Sequence, residues 1–382
     1  MYDKYFEEIV DIKKYVGDMS QIAGVKSYKY SGGKSDGLRA VDFWTGSGLN
    51  FTVLLDRCLD IPSASFNGKS LCWKSQAKEV HPHLYDTQGM GWKDGAFLGL
   101  LTTCGLTYLG APCNDQGESL SLHGKISYIQ GEDIKIWQEW KDGEYVLSVE
   151  GSMSQISLFG ACLKLTRKIT ACLGKSEISI QDKVENISFK KSPFMMLYHI
   201  NLGFPLLAPG SKLITPSLKI AAHDKEAENG IKVFDSIQSP MQVYNEKVYY
   251  HDMKEDDKGQ VNCAVISDDR EDSFGVYLNY NKKELPDFVQ WKMLENQTYV
   301  LGIEPSNCWT EGRDKERKWE TLDYIEPGES RSFSIKLGVL DGKQEIDNFV
   351  QNIKDDVGNR RPQIISKQDM IEIRKERILK RG

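Results

Sequence analysis

The 382-residue sequence predicts an all-β fold of antiparallel strands, and three observations carry that prediction. From about Val25 onward, short runs alternate between apolar and polar residues or are apolar throughout, and Gly, Asp and Asn punctuate them. IKIWQEWKDGEYVLSVEG places two alternating runs about Asp142-Gly143, a dipeptide that accepts the positive φ of a tight hairpin. Nowhere does strand alternate regularly with helix, which argues against a doubly wound sheet.

In chain order, residues 2–16 place Tyr5, Phe6, Ile9, Val10 and Val16 at helical spacing with Glu and Lys between them. This predicts a short amphipathic helix lying on the body of the protein. Strands are expected at 38–45 and 49–55. Between Lys74 and Ser119 the chain is rich in Gly, Pro, His and Trp, and reads as a long, elaborated connection of the kind that carries function. After the Asp142-Gly143 hairpin comes a second, LKLTRKITACLGKSEISIQDKVEN, turning at Leu173-Gly174-Lys175. Strands at 273–281, 287–293, 298–304 and 331–339 follow. SKQDMIEIRKERILKRG reads as a helix with Met370, Ile371, Ile378 and Leu379 as a sparse apolar face and its positive charge in solvent. The chain is expected to be one domain, 1–382, with an N-terminal helix over 1–16, a body over 17–345 and a C-terminal helical tail over 346–382.

A formal charge of -6 gives little attraction for polyanions, so no nucleic-acid partner is expected. No apolar run is long enough to span a bilayer, and no membrane partner is expected either. The amino terminus, MYDKYFEEIVDIKK, has no signal-peptide core. Eight cysteines, at 58, 72, 104, 113, 162, 172, 263 and 308, show neither a C-x-x-C pair nor zinc-ligand spacing. They read as reduced, mostly buried thiols in a cytoplasmic protein.

Two imidazoles at His81 and His83 flank a proline, and no Glu or third His follows at cupin-like spacing. Solvent-facing or loop-anchoring histidines are the reading, with no metal and no cofactor expected. Four stretches share another property, a chemically capable side chain in a tight apolar or glycine-flanked context. They are LLDRCLDI with Arg57, SLHGKIS with His123, YHINLGFP with His199 and YVLGIEPSN with Glu304. Each has a bland explanation: Arg57 could pair with Asp56 or Asp60, His123 could cap a turn and Glu304 could end a strand. Burying an unpaired charge costs several kcal/mol, so convergence of all four in one cleft is the economical hypothesis. Alternation puts His199 and Asn201 on one face of their strand, where Asn201 is expected to bind substrate, and Tyr198, Ile200 and Leu202 on the other.

These stretches, with GDMSQIAGV, LDRCLDIPSASFNGKSLCW, LLTTCGLTYLGAP, KVENIS and QWKMLENQTYVLGIEPSN, span residues 17–310. In combination they make the chain resemble the aldose 1-epimerase (galactose mutarotase) superfamily, and within it the DUF4432 branch. The resemblance implies a large antiparallel β-sandwich, a galactose mutarotase-like supersandwich with short terminal helices, whose concave face binds a sugar. It implies Arg57 as the arginine that holds the sugar, His123 as the histidine near the ring oxygen, His199 as general acid and Glu304 as general base. The reaction implied is anomer interconversion by opening and reclosing the hemiacetal. Trp73, Trp92, Trp291 and Trp309 are either sugar platforms or core. Asp60 and Asp287 are candidates for the aspartate that holds a sugar hydroxyl. Gln290-Trp291-Lys292 is a branch feature expected to bind substrate, with Lys292 facing a carboxylate or phosphate on an acidic or phosphorylated sugar. A non-catalytic carbohydrate-binding or sensing protein, and a sugar lyase or metal-assisted isomerase, remain as alternatives. The oligomeric state is not set by the sequence.

Overall fold

Asp142 and Gly143 turn with φ of 49° and 86°, joining Glu132–Lys141 to Glu144–Ile156, and Gly174 supplies φ 75° between Cys162–Cys172 and Glu177–Asn186. Both predicted hairpins thus form where residues tolerant of left-handed backbone sit. The computed structural model describes residues 12–267, 273–358 and 360–380. Most of the helix expected over 2–16 lies outside them.

Among the described residues the two hairpins build an eight-stranded sheet. Its order is Lys212–Ile214, Gln260–Ile266, Phe274–Asn281, Ser330–Asp341, Glu177–Asn186, Cys162–Cys172, Glu144–Ile156 and Glu132–Lys141, antiparallel throughout. A seven-stranded sheet runs Gln363–Ile364, Ser217–Ala222, Lys247–Met253, Asp287–Glu295, Thr298–Ser306, Met195–Gly203 and Thr102–Leu106. Only its first pair is parallel. A five-stranded meander formed by Gly24–Lys29, Arg39–Trp44, Leu49–Leu54, Asp60–Phe66 and Lys69–Ser70 completes an all-β antiparallel sandwich.

The principal core lies between the sheets. Met196, Tyr198, Ile200 and Leu202 from one sheet share it with Leu301 and Ile303 of the neighbouring strand and with Leu165, Ile180 and Leu337 of the facing sheet. One ionic network is sealed inside: Arg167 binds Asp60 and Asp182, and the Tyr198 hydroxyl donates to Asp182. The opposite face of the seven-stranded sheet carries a second core of Met195, Leu197, Tyr250, Val289 and Trp309. Both faces of the central strands are therefore buried, and Met195–Gly203 is buried at every position.

Loops and helices cover the second face. The 74–119 connection is mostly irregular with two short 3-10 turns, as its composition suggests, but it also holds the Thr102–Leu106 edge strand and the Cys113–Asp115 strand, which its weak alternation does not reveal. At the carboxyl end, helices Lys343–Val357 and Lys367–Leu379 follow the sandwich. Met370 and Ile371 are buried as expected, while Leu379 is exposed. The positive charge of the last helix is not simply solvated: Arg374 is fully buried and binds Asp287 and Glu316, and Arg377 binds Asp287. All eight cysteines are unpaired and five are buried. No described helix is long and apolar enough to cross a membrane.

Candidate active site

Beneath the loops, on the second face of the seven-stranded sheet, lies a cavity of about 510 Å³. Strand parity decides which side chains reach it. On Met195–Gly203, Tyr198 points into the inter-sheet core and His199 into the cavity. On Thr298–Ser306, Leu301 and Ile303 face the core and Glu304 the cavity. His123 arrives from a loop, held at φ 55° by hydrogen bonds from its N–H to Gly110 O and from the Gly105 N–H to its carbonyl.

Nε2 of His199 lies 3.3 Å from Oε1 of Glu304, close but not aligned as a hydrogen bond. The His123 and His199 rings meet edge to face at 5.8 Å, and His199 meets Trp291 edge on at 5.5 Å. Trp92 packs against His123 at 4.8 Å. Space for the carboxyl comes from Gly302, whose added Cβ would stand 2.3 Å from Glu304 Oε1 and 3.1 Å from Trp291 Cβ. Among the described residues, His123 Nδ1, His199 Nδ1 and Glu304 Oε1 are buried without a hydrogen-bond partner. Each such atom costs about 1–3 kcal/mol, and all three belong to residues that line the cavity.

Burial sets the protonation. It pushes the Glu304 carboxyl well above the usual carboxylate range, helped by the negative charge of Glu246. Burial also pulls His199 down to about 4, opposed by the neighbouring Asn201 side chain, which favours the protonated ring. His123 falls to about 3, through burial and then the neighbouring His199 and Lys93. Burial thus disfavours the charged form of all three groups.

The other expected site residues lie elsewhere. Arg57 does not line the cavity: its buried guanidinium donates to the carbonyls of Ser127, Val80 and Gly95 and stacks 3.9 Å over Tyr128. It ties together the loops that roof the site. Asn201 lies behind His199 and donates to that residue's carbonyl at 2.8 Å. Parity divides the Gln290-Trp291-Lys292 trio. Trp291 lines the cavity, while Gln290 bonds His251 and Phe234 O, and Lys292 donates to Val233 O and Ser236 O beside a separate pocket. Trp92 is a wall of the cavity, Trp309 stacks on Tyr250 at 3.7 Å within the second core, and Trp73 bonds Gln297 O away from the cavity. Asp60 and Asp287 are held by Arg167 and by Arg374 with Arg377. Beside Glu304, the cavity is lined by Asp224, Glu246 and His223, which the sequence reading does not single out. Asp224 caps the Lys225–Gly230 helix through Ala227 N, and that S/T/D/N-before-helix signal was present in AAHDKEAENG. His81 and His83 pack together at 4.3 Å, and no three metal-ligating residues gather anywhere among the described residues.

The same architecture recurs in solved structures. A candidate aldose 1-epimerase from Klebsiella pneumoniae superposes with TM-score 0.86 at 22% identity, covering 95% of this chain and 96% of that one. A galactose mutarotase-like protein from Clostridium acetobutylicum matches with TM-score 0.58 at 12% identity over 84% of this chain and all of that one. A galactose 1-epimerase from Lactobacillus acidophilus matches with TM-score 0.54 at 11% identity over the same shares. Comparison with curated protein sequences gives no match. The fold is thus that of the galactose mutarotase-like β-sandwich proteins. Residues 35–339 match the family model described as Domain of unknown function (DUF4432), and the chain belongs to that family.

Proposed function

We propose that the protein is a sugar mutarotase, an aldose 1-epimerase-like isomerase that opens and recloses the hemiacetal of a free sugar. The observation that carries this reading is the approach of His199 Nε2 to Glu304 Oε1 at 3.3 Å, with both residues lining a sugar-sized cavity. A carboxyl with a raised pKa and an imidazole with a lowered one hold a single proton between them, so the pair is at once an acid and a base.

Ring opening needs both. One member takes the proton from the O1 hydroxyl while the other gives a proton to the ring oxygen, the bond from C1 to that oxygen breaks, and an open-chain aldehyde results. Rotation about C1–C2 and attack of the hydroxyl on the other face of the carbonyl reverse the transfers and restore the pair. The resemblance assigns Glu304 as base and His199 as acid, which requires the ion pair Glu304⁻/His199⁺. At 3.3 Å and an effective dielectric near 20 that pair gains about 5 kcal/mol. Desolvating two ions costs several kcal/mol each. The neutral arrangement is therefore the resting one, and a sugar hydroxyl donating to Glu304 draws the proton across to His199. His123 orients the ring from the facing wall, and Trp92 and Trp291 offer apolar surface to sugar C–H faces.

A neutral sugar fits better than an acidic or phosphorylated one. Asp224 and Glu246 line the cavity against Lys93, and Lys292 does not reach it. The test is anomer exchange across a panel of neutral sugars, uronates and sugar phosphates, followed by NMR and polarimetry. A neutral sugar should exchange fastest, and His199→Ala and Glu304→Gln should each lose about 10²–10⁴-fold. Full rate in both variants on the best substrate would sink the assignment. Saturable sugar binding with no acceleration would replace it with the carbohydrate-binding reading.

A further inference from the structure

Among the cavity groups outside this mechanism, Glu246 touches the reacting pair's neighbour Trp291. Glu246, just ahead of the Lys247–Met253 strand, accepts a hydrogen bond from the Trp291 indole N–H at 2.8 Å, and both residues line the cavity. Trp291 stands between Glu246 and the reacting pair. Its ring meets the His199 imidazole edge on at 5.5 Å, with an interplanar angle of 76°. Its Cβ lies over Gly302, the residue whose missing side chain leaves room for Glu304. Trp291, Gly302 and Glu304 are locked in register on adjacent strands, Trp291 opposite Gly302 and Val289 opposite Glu304. The indole plane is the free variable in this arrangement, since rotation about its χ angles is not fixed by strand pairing. The hydrogen bond to Glu246 fixes it.

We propose that Glu246 is a positioning residue for the proton-transfer pair: it locks the Trp291 indole against His199 and sets a second carboxylate on the cavity wall that carries Glu304. The inference rests on the reading of His199 and Glu304 as that pair. The two effects are separable, because orientation needs only an acceptor at the position whereas the electrostatic effect needs its charge. Removing the charge weakens the bias that keeps the proton on Glu304, and Glu246 is the charged neighbour that acts on that carboxyl. The other titratable or charged groups around Glu304 are His199 on the adjacent strand, Cys104 on the Thr102–Leu106 strand, and His123, Lys93, His223 and Asp224 about the cavity. They are the same in every variant below.

The experiment uses the full-length chain as wild type, Glu246→Gln and Glu246→Ala. Uniform ¹³C-glutamate labelling gives the titration of the Glu304 carboxyl, assigned by its loss in Glu304→Gln. The indole N–H resonance of Trp291 is assigned by its loss in Trp291→Phe. Glu246→Gln should shift the Glu304 midpoint to lower pH and keep the Trp291 N–H in its hydrogen-bonded position. Glu246→Ala should shift both, and should cost a further loss on the order of tenfold in kcat/KM for anomer exchange. An unmoved Glu304 midpoint in Glu246→Gln would overturn the electrostatic half. An unmoved Trp291 resonance in Glu246→Ala would overturn the orienting half. Both are read by NMR on the protein alone, so a wild type that exchanges no sugar would refute the mutarotase reading without deciding this one.

Discussion

Gly302→Ala is the sharpest probe of the site, because it adds one methyl group and no polar atom. Gly302 lies in a strand with ordinary backbone dihedrals, so alanine itself is tolerated and restricting the unfolded chain favours folding by about 0.4–1 kcal/mol. Space is the obstacle. The new Cβ would sit 2.3 Å from Glu304 Oε1, short of ordinary 3.4 Å contact, so the carboxyl must retreat by about 1 Å. A displacement of that size at reacting groups costs about 10²-fold in rate, while mild overpacking against Trp291 costs about 1–3 kcal/mol of stability. The assay pairs anomer exchange with a urea titration monitored by circular dichroism. A hundredfold slower enzyme with at most a modest stability loss is expected. A Gly302→Ala protein with wild-type rate and stability, and a crystal structure with Glu304 unmoved, would show that the carboxyl's position is not what the glycine secures.

Other perturbations separate scaffold from site. Arg57→Met removes donors from three carbonyls that roof the cavity, and should lower unfolding stability by about 3–5 kcal/mol in urea. A rise in KM with unchanged stability would instead restore the sugar-binding role that the resemblance implies. Arg374→Met leaves the interior carboxylate of Glu316 without its ionic partner, while Asp287 keeps Arg377, and should cost about 3–5 kcal/mol, partly recovered by adding Glu316→Gln. His199, with its folded pKa depressed to about 4, resists a proton that the unfolded chain takes up near pH 6.5. Its contribution is fully present above that pH and is lost as pH falls toward about 4, at up to ~1.4 kcal/mol per pH unit. Urea midpoints from pH 7 to 4 should fall less steeply in His199→Gln than in wild type, and parallel curves would refute the depressed value.

Local sequence determined the rhythm of this protein. Turn-tolerant residues at Asp142-Gly143 and Gly174 and the period of two fixed hairpins and strand faces, because a strand's alternation needs no knowledge of its neighbours. That same alternation correctly put His199 opposite Tyr198, and it also contained the answer for Gln290-Trp291-Lys292, whose outer members could not share a face with the tryptophan. Arg57 shows the limit. A buried arginine in LLDRCLDI has the same local signature whether it meets a ligand or three carbonyls from residues 23, 38 and 70 positions away. The Glu246–Trp291 hydrogen bond spans 45 positions and has no local signature. Which strands adjoin, which loop closes over which face and how far each charge is drawn from water are sums over the whole packed chain. Sequence alone could name His123, His199 and Glu304 as capable of proton transfer; only the tertiary structure brought His199 and Glu304 within 3.3 Å and removed the water that would have kept their pKa values ordinary.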